Sequence, residues 1–128
     1  MYSLTVCDHI MIAHSLPDPF FGPAQQLHGA TLAVEVTWRR HELGPHAVVM
    51  DIGEASSALS AVLEPLRYRN LDEHPAFEGQ LSTTEAVARH LSDALRHHFD
   101  ETFFAGLTVL LREHPGAWAT YDIAFDTD

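Results

Sequence analysis

The feature that most constrains this chain is an alternation of residue types in its first third. Leu32, Val34, Val36 and Trp38 occupy one parity, and Thr31, Glu35, Thr37 and Arg39 occupy the other. Successive side chains of a β-strand point to opposite faces, so this stretch reads as a strand with one face buried and one face wet. Such a strand belongs to an antiparallel sheet covered on one side only. We expect it to span about residues 27–39.

The other segments fit around that strand. An earlier one, about residues 2–14, alternates loosely and puts Ile10, Ile12 and His14 on a single side. The two are separated by Leu16-Pro17-Asp18-Pro19-Phe20-Phe21-Gly22-Pro23, where three prolines and a glycine exclude regular structure. Asp51 with Glu54 three residues on can cap a helix, and Ile52, Ala55, Leu59, Val62, Leu63 and Leu66 then recur at helical spacing. Ser82-Thr83-Thr84-Glu85 has capping-box spacing, with Ser82 as the expected cap and Glu85 reaching back. Val87, His90, Leu91, Ala94, Leu95 and His98 form the stripe that follows. Residues 107–113 and 118–125 read as two closing strands joined at Pro115-Gly116. The expected architecture is α+β, a four-stranded antiparallel sheet with two helices on one face in the order ββααββ, forming one domain over residues 1–128. Its unpaired strand edges invite a second copy, so a homo-oligomer is expected.

Composition narrows the function. The formal charge is −11 and Lys plus Arg number seven, which disfavours nucleic acid and anionic membrane surfaces alike. Apolar residues at 46% are enough to build a core. The lone cysteine, Cys7, cannot close an internal disulfide. The apolar run at residues 10–13 is too short to span a bilayer and follows no basic segment. Cytoplasmic residence is the resulting expectation. Ten histidines direct attention to metal or proton chemistry.

Several short motifs occur in a specific order: Ile12-Ala13-His14-Ser15-Leu16, Leu27-His28-Gly29, Val49-Met50-Asp51-Ile52-Gly53, Asn70-Leu71-Asp72-Glu73, Thr83-Thr84-Glu85 and Arg112-Glu113. In that order and spacing the chain resembles the 6-pyruvoyl/6-carboxytetrahydropterin synthase family. The resemblance implies a tunnelling fold, whose subunits join edge to edge into a trimeric β-barrel and stack as a homohexamer, with sites for a small-molecule substrate at subunit boundaries. It also implies that Glu113 anchors the amino-pyrimidine edge of a flat ring, aided by Thr83 and Thr84. A carboxylate can accept two N–H bonds from such an edge. Thr83 and Thr84 have a structural explanation as well, as helix-start residues.

The same resemblance marks what is missing. The family binds zinc with three histidines; His14 and His28 match two of them, and the third position is Ala30. A zinc site would need a donor from elsewhere, and His9, His41 and His46 qualify by count alone. The alternative is that His14 and His28 serve as neutral hydrogen-bonding or acid–base groups. The family's proton-relay cysteine is replaced by Ala24, and its aspartate–histidine pair by Arg67 and Tyr68. Cys7 lies in the first strand, far from the matching position. Asp8 and His9, being adjacent in a strand, point to opposite faces and cannot share a pocket.

The expected function is therefore a divergent lyase or cyclase that binds a planar nitrogen heterocycle or an aromatic amine. Glu113 and His28 are its candidate catalytic groups and Thr83, Thr84 and Glu113 its substrate contacts. A Pictet–Spengler-type ring closure between an amine and an aldehyde needs neither thiol nor metal. The other class of reading is a non-catalytic paralogue that holds a pterin-like ligand.

Overall fold

The computed structural model describes residues 1–125. Two long strands, β1 (Tyr2–His14) and β2 (His28–Arg40), pair antiparallel along their whole length, from Tyr2 opposite Arg40 to His14 opposite His28. β3 (Gly106–His114) pairs with β2, and β4 (Ala117–Ala124) pairs with β3, giving the sheet order β1-β2-β3-β4. Between β2 and β3 the chain forms α1 (Ile52–Leu63) and α2 (Thr84–Leu95). The expected element order is the observed one, with strand ends displaced by a residue.

One face of the sheet is apolar and carries both helices. Ile10 and Ile12 of β1, Leu32, Val34, Val36 and Trp38 of β2, and Leu107, Val109 and Leu111 of β3 are all buried there. Against them pack Ala55, Ala58, Leu59, Val62 and Leu63 of α1 and Val87, Ala88, Leu91 and Leu95 of α2. Trp38 is fully enclosed, with Phe99 edge-on at 6.0 Å. Side chains of this size supply most of the folding free energy, at about 1.5–3 kcal/mol each. The opposite face is polar. Thr5 bonds Thr37, Arg39 reaches Thr108 and Asp122, and Arg112 pairs with Glu35 and lies over the Trp118 ring.

Local details follow the sequence with corrections at four places. Pro19–Gln25, expected to be irregular, forms 3-10 turns broken at Gly22 (φ 53°), and His98, expected on the α2 stripe, lies beyond that helix and is exposed. Asp51 caps α1 as expected, its Oδ2 accepting from the Glu54 N–H at 2.9 Å. Ile52, expected on the buried stripe, is 64% exposed, because the first residue of the helix precedes the turn that meets the sheet. The cap of α2 is Thr83 rather than Ser82. The Thr83 hydroxyl accepts from the Ala86 N–H at 3.1 Å, and the Ser82 side chain is buried against His14 instead. A tertiary partner one residue upstream has moved the cap. Among the described residues no helix is long and apolar enough to cross a membrane.

β1 and β4 are the sheet edges. The last part of the β1 edge is covered by the chain leaving α1. The Tyr68 N–H donates to Met11 O (2.8 Å), the Ala13 N–H donates to Arg69 O (3.0 Å), and Ala13 bridges Asn70 in parallel. Tyr68 takes a left-handed conformation (φ 56°) to make this turn, and its side chain stays in solvent.

Candidate functional site

Three inner-face rows run out beyond the helices at one end of the sheet, and each ends in a polar residue. His14 continues the row of Ile10 and Ile12. His28 continues that of Ala30 and Leu32 and faces His14 across the ladder. Glu113 continues that of Val109 and Leu111. The parity that buries the core thus delivers two imidazoles and a carboxylate to one place. The two rings meet edge-on with centroids 4.6 Å apart. Glu113 Oε1 lies 3.3 Å from His14 Nε2 and 3.9 Å from His28 Nε2.

His14 is held from three directions. The N–H of Ala13 before it is tied to Arg69 O, and Ser15 after it is clasped by Asp72, whose two oxygens accept from the Ser15 N–H (3.0 Å) and Oγ–H (2.6 Å). The ring itself, buried at 3% exposure, sits against Ser82, with Nδ1 2.9 Å from the carbonyl oxygen and 3.1 Å from Oγ. A carbonyl only accepts, so Nδ1 carries a proton, and Nε2 is the ring atom turned toward Glu113. His28 repeats the arrangement, with Nδ1 2.9 Å from Gln26 O. Both rings therefore aim Nε2 at the same carboxylate oxygen.

The second Glu113 oxygen faces outward. The Thr84 hydroxyl, at the first residue of α2, donates to Oε2 at 3.4 Å. Thr84, Glu85, Glu113, His114, Ala117, Trp118 and Ala119 line an open cavity of about 240 Å³. A larger hollow of about 670 Å³ lies on the far side of Ser82, between Ser15 and residues 71–82.

Among the described residues, His14, His28 and Glu113 form a group able to hold a metal ion, with one ligand atom from each within 4.8 Å of the others. His9, His41 and His46 are not part of it; all three are exposed elsewhere on the surface. Ala24, Arg67 and Tyr68 bring no relay. Arg67 is engaged as a strap, with Nη2 on Asp8 (3.0 Å), Nη1 on His9 O (3.0 Å) and Nε on Glu64 (3.2 Å). Tyr68 is 81% exposed. Cys7 is exposed, on the parity opposite to His14. The sequence reading missed two positioning residues, Ser82 and Asp72. An Asn-Leu-Asp segment and a serine before a helix have local turn and cap explanations, so nothing local marked them.

The family model for 6-pyruvoyl tetrahydropterin synthase matches residues 3–124. The chain belongs to that family. Its fold is also that of solved relatives. The 6-pyruvoyl tetrahydropterin synthase of Caenorhabditis elegans superposes with a TM-score of 0.83 at 24% identity, covering 96% of each chain. The Plasmodium vivax 6-pyruvoyl tetrahydropterin synthase gives 0.80 at 16% identity, covering 97% of this chain and 98% of that one. An uncharacterized protein of Wolinella succinogenes gives 0.69 at 17% identity, covering 94% of this chain and 97% of that one. No curated protein matches the sequence. At these identities the likeness speaks for the fold, and the four-stranded antiparallel sheet with two helices expected from the sequence is the subunit fold adopted.

Proposed function

We propose that this family member is a divergent cytoplasmic lyase or cyclase that takes a planar nitrogen heterocycle or an aromatic amine at a boundary between subunits of a homohexamer. The observation that carries the reading is the position of Glu113. One of its oxygens meets His14 and His28, and the other meets the Thr84 hydroxyl beside an open cavity. A carboxylate at a helix N-terminus, next to a threonine hydroxyl and free backbone N–H groups, suits the N–H edge of a flat ring. In this reading Glu113, Thr83 and Thr84 hold the ring, and His28 or Glu113 moves protons. The β4 edge and the uncovered first part of the β1 edge support assembly into a barrel, since unpaired strands are satisfied by pairing with another copy.

The usual elimination of the family would lack its base here. Alanine stands at position 24, and the Arg67 guanidinium is committed to Asp8, Glu64 and the His9 carbonyl. A ring closure between an amine and an aldehyde, of Pictet–Spengler type, asks only for a positioned carboxylate and exclusion of water. A pterin synthase with relocated groups is the conservative version. If zinc is bound, His14 and His28 are the residues to hold it, and it would supply a Lewis acid close to the ring.

The test is calorimetric titration with pterins and aromatic amines, paired with chromatography of amine–aldehyde mixtures. Glu113→Gln is expected to weaken ring binding about 10- to 100-fold, as a charge-assisted pair of bonds is lost. Unchanged affinity removes the anchor assignment. Tight binding without product favours the non-catalytic paralogue, a reading that the missing relay supports.

A further inference from the structure

We propose that His14, His28 and Glu113 form a two-histidine, one-carboxylate metal site, in which the carboxylate of β3 takes the place left empty of a donor at Ala30 on β2. The proposal deepens the reading above by giving the ring-holding carboxylate a second partner.

The first argument is the direction of the lone pairs. Both histidines donate Nδ1–H to a backbone carbonyl, Ser82 O for His14 and Gln26 O for His28, each at 2.9 Å. That hydrogen bond fixes the tautomer and leaves Nε2 as an acceptor. The two Nε2 atoms then face Glu113 Oε1, itself only an acceptor when ionised. With neutral imidazoles and an ionised carboxylate, three acceptors converge with no donor among them, and a shared cation resolves the conflict.

The second argument is spacing. Ligand atoms about 2.0–2.1 Å from a tetrahedral metal lie about 3.3–3.4 Å from one another. His14 Nε2 to Glu113 Oε1 is 3.3 Å, and His28 Nε2 to the same oxygen is 3.9 Å. The first already has the length of such an edge. The second needs only a small movement of the half-exposed His28 ring or of the Glu113 side chain. A charged N–H···O bond would instead draw its partners to about 2.7–2.9 Å. A single proton would also satisfy one imidazole and leave the other facing the carboxylate.

The third argument is support. His14 is buried and fixed through Ser82 and through its two neighbours in sequence, whereas the Glu113 side chain is 37% exposed. A fixed interior ligand, two outer ones and an open side make a site that solvent can enter. Two nitrogens and an oxygen suit zinc and its first-row neighbours. Such a site holds Oε1 and leaves Oε2, with the Thr84 hydroxyl, to meet a ligand. The ring would then be held through one carboxylate oxygen rather than two.

The test uses metal alone. Protein stripped with chelator is titrated with zinc by calorimetry, and with cobalt(II), whose visible absorption reports nitrogen and oxygen ligation. We expect one equivalent per chain. Glu113→Gln should weaken binding by more than about 100-fold, beyond the usual loss for an outer hydrogen-bonding partner. Adding Ala30→His to that variant should restore it, because residue 30 shares the face of His28. Circular dichroism verifies folding, and His28→Ala gives a second ligand deletion should the first variant misfold. Wild-type protein that ignores zinc, or Glu113→Gln protein that binds it as tightly as wild type, overturns the proposal. Zinc binding without turnover of any amine leaves this site standing and retires the catalytic reading. Ring binding by protein that takes up no zinc does the reverse.

Discussion

The inner face of the sheet has two regions built from the same strands and the same parity. In one, Trp38, Val36, Leu107 and Val109 are closed over by α1, α2 and the Phe99 ring, and none of the four is exposed. In the other, the rows outrun the helices and end in His14, His28 and Glu113. A strand repeats its direction every second residue whatever lies above it. The cover alone therefore decides whether an inward position is core or site. The difference teaches that polar residues on core parity, where the helical roof stops, are the ones to suspect of chemistry.

Mutations separate the two regions. The largest effect belongs to the roofed one. Trp38→Ala should cost about 3–5 kcal/mol in denaturant unfolding, through lost burial and a residual cavity. A cost below about 1 kcal/mol would mean that the two regions are not energetically distinct. Next comes His14→Ala, which leaves the buried Ser82 hydroxyl without its ring partner and should cost about 1–3 kcal/mol. A double-mutant cycle with Ser82→Ala should recover part of that loss; strict additivity would show the two side chains to be uncoupled.

Asp72→Ala removes two bonds to Ser15 at the surface, and about 1 kcal/mol of destabilisation is expected. Because that clasp positions His14, metal or ring affinity should drop along with it, and stability loss with intact affinity would break the link. Glu113→Gln is expected to change stability by less than about 0.5 kcal/mol while altering binding strongly. Destabilisation as large as that of His14→Ala would move Glu113 from the site into the core.

The smallest expected effect is a pH dependence on α2. Burial, with His74 nearby, lowers the proton affinity of His90 below its ordinary value, against a weaker opposing pull from Asp93. The unfolded chain then binds the proton more readily than the folded one. The contribution of His90 to stability is complete above the unfolded pKa of about 6.5 and is lost as pH falls below it. His90→Phe should flatten that part of the stability-versus-pH curve, and an unchanged slope would assign the dependence to another group.

Much of the fold was legible because it rests on local periodicity. Leu32, Val34, Val36 and Trp38 declared a one-faced strand, and Asp51 with Glu54 declared a helix start; both are relations between residues a few positions apart. The Ser82 cap was misjudged for the opposite reason. Its hydroxyl had a distant partner, His14, 68 residues away in sequence, and Thr83 capped α2 in its place.

The sequence by itself determined the α+β order and the buried parity of the first two strands, and its resemblance to the family marked the missing donors at Ala24 and Ala30. The order and the parity are properties of residue type and short-range spacing. Only the tertiary structure decided that Glu113 meets His14 and His28, that Asp72 and Ser82 fix one of those rings, and that Arg67 is a strap. Each of these depends on strand register and on where the helical cover ends. Both are set by packing between segments 57–99 residues apart, which no local pattern encodes.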